Sequence, residues 1–229
     1  LKPILGKPML IHQIERVQLS RMIDKLVIVT STESSDDQLV ALLQKINIEF
    51  YRGSIDNVLD RFYKGACYYK AKHIVRLTGD CPVIDSKVID EAITFHLEGG
   101  FDYTSNTIEP TFPDGLDVEV LKFSALKKAW KNAKLKSEFE HVTPYIWDNP
   151  ELFLIGNHTN DKDLSNLRLT VDVMDDFKKI SEIFKSLYPK NKNFSLNDVL
   201  VFLKENPEID LLNNKIKRNE GYINSKNED

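Results

Sequence analysis

The segment His73-Ile74-Val75-Arg76-Leu77-Thr78-Gly79-Asp80-Cys81-Pro82 is the most informative part of this chain about its architecture. Its first half is a short apolar run of the kind that forms a buried strand, and its second half is a loop with glycine and proline. Loops at the carboxyl ends of strands commonly carry ligand sites in open α/β sheets. We therefore expect Asp80 to lie at the rim of a sheet.

Strands and helices alternate on both sides of this segment. Hydrophobic periodicity predicts strands over residues 25–30, 46–51, 73–77, 101–105, 116–121, 153–155 and 167–172. It predicts helices over residues 8–17, 38–45, 58–70, 86–97, 124–133, 137–147, 175–187 and 195–204. This order is typical of a three-layer α/β/α domain with a mostly parallel mixed sheet. The strict alternation of residues 116–121 favours a half-exposed strand outside the parallel core.

Composition favours one α/β domain. The chain has 229 residues, 41% of them hydrophobic, and its 31 basic and 35 acidic residues give a net charge of −4. This mixed surface offers no general attraction for nucleic acid or an anionic membrane. No apolar run approaches the ~20 residues that span a bilayer, and two cysteines are too few for a disulfide framework. We expect a soluble cytoplasmic domain over 1–212 and a polar, partly disordered tail over 213–229.

Two aspartates are predicted just beyond buried strands, Asp80 after residues 73–77 and Asp172 at the end of residues 167–172. The fold could bring both to one rim of the sheet. Magnesium prefers hard oxygen ligands and typically takes one or two carboxylates, with water and phosphate completing its coordination. Taken alone, an aspartate after a strand is more often a helix cap or turn former, so that reading stays open.

Four arginines could bind oxyanions bidentately: Arg52, Arg61, Arg76 and Arg168. Each could instead form a structural ion pair, as Arg168 could with nearby Asp172. Gly53 follows a predicted strand and would let the backbone approach a ligand closely.

Several common chemistries are disfavoured by missing motifs. The histidines lack the H-E-x-x-H spacing of a zinc site, and the chain has no G-x-G-x-x-G or G-x-x-x-x-G-K-[ST] phosphate loop and no G-x-S-x-G elbow. Dehydrogenase, P-loop kinase and hydrolase readings are therefore weakened.

Several segments, in this order, resemble the SpsF-like branch of the cytidylyltransferases, the spore coat polysaccharide relatives of the CMP-sialate and CMP-KDO synthetases. They are LKPILGKPM at 1–9, RGS at 52–54, VLDRF at 58–62, RLTGDCP at 76–82, PDGLDVEV at 113–120, EHVTPYI at 140–146, LRLTVD at 167–172 and KRNEGY at 217–222. The ordered combination covers nearly the whole chain and is specific to the family.

The resemblance implies a Mg²⁺-dependent nucleotidyltransferase that transfers CMP from CTP to an acidic sugar or a related polysaccharide precursor and releases pyrophosphate. It also implies a homodimer. By resemblance, Asp80 and Asp172 are the metal ligands, and they form the catalytic group with Arg168. The implied nucleotide-binding residues are Arg52, Gly53, Ser54, Arg61, Arg76 and Gly79. Asp114 and Asp117 are placed on the sugar side, and His141 is either a ligand contact or a packing residue.

Two features depart from the family pattern. The family's N-terminal strand and its basic, glycine-containing phosphate loop would precede Leu1, and Val173-Met174 stands where relatives have threonine-proline. Two other functions therefore stay open. One is a sugar-nucleotide-dependent glycosyltransferase, although the D-x-D signature is not evident around Asp80, and the other is a non-catalytic nucleotide-binding scaffold.

Overall fold

The structure is a computed structural model, and it describes residues 2–216 together with residues 218, 222, 225, 226 and 229. The strands are β1 Pro3–Ile4, β2 Lys7–Pro8, β3 Val27–Ser31, β4 Glu49–Gly53, β5 His73–Arg76, β6 Tyr103–Ser105, β7 Glu119–Lys122 and β8 Ile155–Asn157. The helices are α1 Met9–Val17, α2 Asp37–Lys45, α3 Val58–Tyr68, α4 Ser86–Gly99, α5 Phe123–Asn132, α6 Lys136–His141, α7 Pro144–Trp147, α8 Met174–Leu187, α9 Leu196–Glu205 and α10 Pro207–Asp210.

The main sheet is mixed, as predicted, but it is not mostly parallel. Its four strands have the order β5-β7-β6-β8; β7 is antiparallel to both of its neighbours, and β6 and β8 are parallel. A second, parallel pair joins β3 to β4, and β1 and β2 form a short antiparallel hairpin. Helices α4 and α5 contact the main sheet, while α3 packs on β3 and β4 and also on α5 and α6. Helix α3 thus links the two sheets.

The prediction of a half-exposed outer strand at residues 116–121 is wrong. Strand β7 lies between β5 and β6, and Val118 and Val120 are fully buried. The polar member Glu119 is also buried, because Arg76 of β5 pairs with its carboxylate. An alternating pattern does not distinguish a side chain in water from one in a buried ion pair.

Residues 167–172 do not form the predicted strand. A single parallel bridge joins Asp114 to Arg168, with hydrogen bonds from Asp114 N to Leu167 O (2.9 Å) and from Leu169 N to Asp114 O (2.7 Å). Gly115 makes this approach possible, because its φ is +98° and a Cβ there would lie 2.4 Å from Thr170 N.

The helix predicted over 137–147 is divided into α6 and α7. The division falls at Val142, which has a φ of +74°. Helix α4 begins at the predicted residue 86 and ends at Gly99, two residues beyond the predicted 97, where Gly100 adopts a left-handed φ of 62°. Asp85 caps α4, because its carboxylate accepts from Lys87 N at 2.9 Å, and Ser195 caps α9 in a reciprocal pair with Asp198.

The core consists of two apolar clusters, one on each side of the main sheet. One contains Ile84, Val120 and Phe184, and the other contains Leu59 and Leu126. These clusters fix the sheet and the loops that leave it.

None of the helices in the described residues has both the length and the apolar character of a membrane-spanning segment.

The predicted boundary at 212/213 stays a prediction, although described residues beyond it contact the domain. Asn213 is 3% exposed, Arg218 reaches Asp117, and the Asp229 carboxylate accepts from Ser137 N at 2.9 Å. Of the quoted segment 217–222, Lys217, Asn219, Glu220 and Gly221 lie outside the described residues.

Candidate active site

The loop that carries Asp80 is tied to the segment that carries Asp172. Val171 N donates to the main-chain carbonyl of Asp80 at 2.9 Å. The other side of the Asp80 loop is held by α1, where Gln13 Nε2 donates to Thr78 O at 2.6 Å. Two aspartates that are distant in sequence are therefore carried by loops that hydrogen-bond to each other.

Arg168 is the centre of the acidic cluster beside these loops. It donates to Asp114 Oδ2 at 2.7 Å, to Asp172 Oδ2 at 2.5 Å, and from Nε and Nη2 to both oxygens of Asp176 at 2.9 Å. Burial lowers the pKa of Arg168, but its bonds to Asp176 and Asp172 outweigh burial and raise the pKa overall. Arg168 is thus committed to carboxylates, and it orients Asp172 rather than presenting a free guanidinium.

Asp176 holds both the guanidinium of Arg168 and the main chain of Asp172 in place. It is fully buried, and its Oδ2 also accepts from Asp172 N (3.0 Å) and Val173 N (3.1 Å) at the start of α8. Asn213 Nδ2 donates to its other oxygen at 2.8 Å. The resulting capping of the first turn of α8 fixes the main chain on which Asp172 stands.

Asp114 and Asp117 are both held by arginines. Asp117 Oδ1 accepts from Arg218 Nη2 at 2.5 Å, and Arg218 Nη1 also donates to Phe112 O at 3.1 Å. Burial raises the pKa of Asp117 to about 7, with Asp114 and Glu119 adding to the effect and Arg218 opposing it. Burial likewise raises the pKa of Asp114, against the pull of Arg218 and Arg168.

A buried polar network lies under the site. Glu119 pairs with Arg76 Nη1, and its Oε1 accepts from Tyr103 OH (2.6 Å) and Thr143 Oγ1 (2.7 Å). Arg76, which was predicted to bind nucleotide, therefore uses its Nη1 for the ion pair with Glu119. Its buried Nε has no hydrogen-bond partner among the described residues. Glu119 was not predicted as a site residue.

His141 lies at the end of α6. Its Nε2 is 3.0 Å from Ser225 Oγ, and its ring meets Tyr222 edge-on. Burial lowers its pKa, and Arg76 adds to this effect against Glu140 and Glu119. These contacts are those of a packing residue beside the buried network, while its assignment to a ligand stays a prediction.

The predicted nucleotide-side residues gather at the ends of β3 and β4. Arg52 donates to Ser31 O (2.8 Å) and Glu33 O (2.9 Å) and pairs with Asp37 at 2.8 Å. Arg61 donates to Ser54 O at 2.8 Å and keeps a buried Nε without a partner among the described residues. Gly53 is closely covered by Arg61, since a Cβ at Gly53 would lie 2.9 Å from Arg61 Cγ. Gly79 belongs to the Asp80 loop instead and is exposed next to Leu10.

The donor set beside Asp80 fits a hard cation. Among the described residues, the Asp80 carboxylate accepts only a weak bond from Cys81 Sγ at 3.3 Å, and the Asp172 side chain is 54% exposed. No group of three or more histidine, cysteine, aspartate or glutamate side chains in the described ranges could hold a metal ion. A pair of partly free carboxylates matches magnesium, which takes its other ligands from water and phosphate.

Comparison with known proteins places this geometry in a family. The model of the cytidylyltransferase family matches residues 1–216. The chain belongs to the cytidylyltransferase family. Among its relatives is an uncharacterized protein of Methanocaldococcus jannaschii, 37% identical over 209 residues, which covers 90% of this chain and 83% of the relative. The spore coat polysaccharide biosynthesis protein SpsF of Bacillus subtilis is 34% identical over 191 residues, covering 81% of this chain and 77% of the relative.

Solved structures confirm the cytidylyltransferase fold. A cytidylyltransferase from Leptospira borgpetersenii superposes with a TM-score of 0.86 at 32% identity, covering 91% of this chain and 87% of that one. Two more distant structures share the fold alone: a CMP-2-keto-3-deoxy-manno-octonic acid synthetase solved with CTP (TM-score 0.61, 12% identity, 81% and 90% covered) and a Mycobacterium tuberculosis protein solved with manganese (TM-score 0.55, 12% identity, 80% and 90% covered). The predicted nucleotidyltransferase-like α/β fold with a mixed sheet is confirmed.

Sequence reasoning missed the residues that hold the site together. The sequence patterns placed Asp176 at the start of a helix and Asn213 in a polar tail. They placed Glu119 in a strand of alternating polar and apolar residues. The signal for Asp176 was its place three residues beyond Val173, which is the spacing between the N-cap of a helix and an acidic residue whose side chain reaches back to the N-cap main chain.

Proposed function

We propose that this cytidylyltransferase transfers CMP from CTP to an acidic sugar or a related polysaccharide precursor. A sugar hydroxyl attacks the α-phosphorus, a new P–O bond forms there, the bond to the oxygen that bridges to the β-phosphate breaks, and pyrophosphate leaves. The hydroxyl proton is released to solvent. The observation that supports this most is the hydrogen bond from Val171 N to Asp80 O, because it joins the two loops that carry the proposed metal ligands.

Asp80 and Asp172 would hold Mg²⁺. When bound, the cation would screen the negative charge of the triphosphate and of the departing pyrophosphate. The protein's own contribution is positional: Arg168 holds one oxygen of Asp172 and leaves the other for a ligand, while Asp176 fixes the main chain beneath.

The two sides of the site differ in chemistry. On the nucleotide side we place Arg52, Gly53, Ser54 and Arg61, with Arg76 and Gly79 nearer Asp80. On the acceptor side Asp114 and Asp117 would accept hydrogen bonds from sugar hydroxyls, and we assign His141 to the same side. An acceptor used in polysaccharide synthesis is supported by the relative SpsF, a spore coat polysaccharide biosynthesis protein.

The test is release of pyrophosphate by the full-length protein with Mg²⁺, each nucleoside triphosphate, and pairs of acidic sugars and their amides. We expect pyrophosphate with CTP and a free carboxylate, and much less with the amide. Release of a nucleoside diphosphate from a sugar nucleotide would instead indicate the glycosyltransferase, and no turnover despite CTP binding would indicate the scaffold. The homodimer and the cytoplasmic location stay predictions, and sedimentation velocity checks the first.

A further inference from the structure

A cleft lies against the face of α1 that carries His12, Glu15 and Arg16. Its volume is about 330 Å³, roughly ten times the ~30 Å³ that a water molecule occupies in the liquid. It is bordered by α1, by α8 and by the loop before α9. The polar side chains that line it include Lys7, His12, Glu15, Arg16, Tyr188 and Lys192.

Arg16 is a buried cation in the wall of this cleft. It is 5% exposed, and its hydrogen bonds go only to main-chain carbonyls: Ile84 O (2.7 Å), Val83 O (3.3 Å) and Phe194 O (2.9 Å). Its Nη1 has no partner among the described residues, and no carboxylate of that part of the chain pairs with it. Against the lowering effect of burial, Asp85 acts through space to raise the pKa of Arg16, but the two do not form an ion pair. A buried guanidinium without a direct ion pair is costly, so an anion at Nη1 would be favourable.

His12 lies one helical turn from Arg16 and provides a hydrogen-bond acceptor. It is 1% exposed, and its Nε2 lies 3.0 Å from Ile4 O. Since a carbonyl can only accept, Nε2 carries the proton and Nδ1 is left as an acceptor, which has no partner among the described residues. Burial lowers the pKa of His12, which agrees with a neutral ring.

The remaining charges make the cleft basic. Lys7 is held by Glu15 (2.7 Å) and by Tyr188 OH (2.8 Å), so these two charges offset each other. Lys192 is exposed, and no hydrogen bond or ion pair joins its side chain to another described residue. Arg16 and Lys192 together therefore leave an excess of positive charge.

We propose that this cleft is a binding site for a small oxyanion of the phosphate class that still carries a proton. Its oxygens would accept from Arg16 and Lys192, and its P–O–H group would donate to His12 Nδ1. Sulfate has the same shape but no proton near neutral pH, so the site discriminates against it. The proposal is independent of the reaction assigned to Asp80 and Asp172.

The test is calorimetric titration of inorganic phosphate into the full-length protein without nucleotide or Mg²⁺, with sulfate at matched ionic strength. We expect phosphate to bind and sulfate to bind at least several-fold more weakly. Lys192→Glu should weaken phosphate binding roughly tenfold, as expected for loss of a charge-assisted contact. Lys190→Glu, an exposed change of equal charge outside the cleft, should leave it unchanged.

His12→Phe should remove the preference for phosphate over sulfate, and the Lys192 variant keeps the test decisive if that core change prevents folding. Methyl phosphate should bind more weakly than inorganic phosphate, because near neutral pH the ester has largely lost its P–O–H proton. Equal binding of the two would overturn the proposal, since the ester dianion has no proton to donate to His12 Nδ1. Absence of phosphate binding, equal binding of sulfate, or an unchanged affinity in Lys192→Glu would overturn the proposal. An unchanged affinity in Lys192→Glu would mean that phosphate binds elsewhere on the protein, for example on the nucleotide side of the candidate active site.

Discussion

Arg168 and Asp176 form a buried bidentate pair, with Nε and Nη2 of the arginine each 2.9 Å from an oxygen of the carboxylate. The pair lies directly beneath Asp172, because the same carboxylate accepts from Asp172 N. The stability of the fold and the position of a proposed metal ligand therefore depend on one ion pair.

Replacement of Asp176 by asparagine should lower the free energy of unfolding by about 3 kcal/mol or more, because it leaves a buried guanidinium short of its counter-ion. Urea denaturation measures this. The matched control is Asp175→Asn, whose side chain is exposed and pairs with Lys178, and which should change stability by less than ~0.5 kcal/mol. Equal stabilities of the two variants would contradict the anchoring role.

Gly115→Ala should be much more damaging than Gly100→Ala. Both glycines have positive φ, +98° and +62°, but a Cβ at Gly115 meets Thr170 N at 2.4 Å while nothing lies within 4 Å at Gly100. We expect a loss of about 1 kcal/mol at Gly100 and at least ~3 kcal/mol at Gly115, where overpacking adds to backbone strain. Thermal and urea unfolding of the two variants provide the comparison, and similar losses would show that the Asp114–Arg168 bridge can open freely.

The raised pKa of Asp117 predicts a pH dependence of stability. Between about 4 and about 7 the folded state holds a proton on Asp117 that the unfolded state has lost. Stability must then fall as the pH rises through this window, by at most ~1.4 kcal/mol per pH unit for one proton. Asp117→Asn should remove that part of the slope in urea unfolding at several pH values. Exposed Asp161→Asn is the control, and parallel slopes for wild type and Asp117→Asn would refute the assignment.

The parts of the fold that sequence could predict are those set by local patterns. Helix α9 follows from its Ser195 cap and its periodic apolar face, and α4 ends at a glycine for a local steric reason. Strand β7 shows the limit, because its position between β5 and β6 depends on the pairing of Glu119 with Arg76, which are 43 residues apart.

The site could be predicted in its residue types but not in its connections. The motif around Asp80 and the one ending at Asp172 pointed to one sheet edge, and their loops do hydrogen-bond to each other. The pairing of Arg168 with Asp172, four residues on, was one of the alternatives that the sequence offered. The bonds from Arg168 to Asp114 and from Arg218 to Asp117 join residues 54 and 101 positions apart, and no local pattern announces them. Such contacts form only in the folded chain, because the residues that make them are far apart in the sequence.

The Mg²⁺ dependence of CTP-dependent pyrophosphate release in Asp80→Asn and Asp172→Asn, with Asp175→Asn as the control, tests most directly whether the two carboxylates hold one cation. We predict that each of the first two variants, while still folded, loses roughly 10²-fold or more in rate, as when a main source of charge stabilisation is removed, and needs more Mg²⁺. The control should match the wild type. Wild-type rates and Mg²⁺ dependence in either Asp80→Asn or Asp172→Asn would contradict the claim that these two carboxylates act together on one cation.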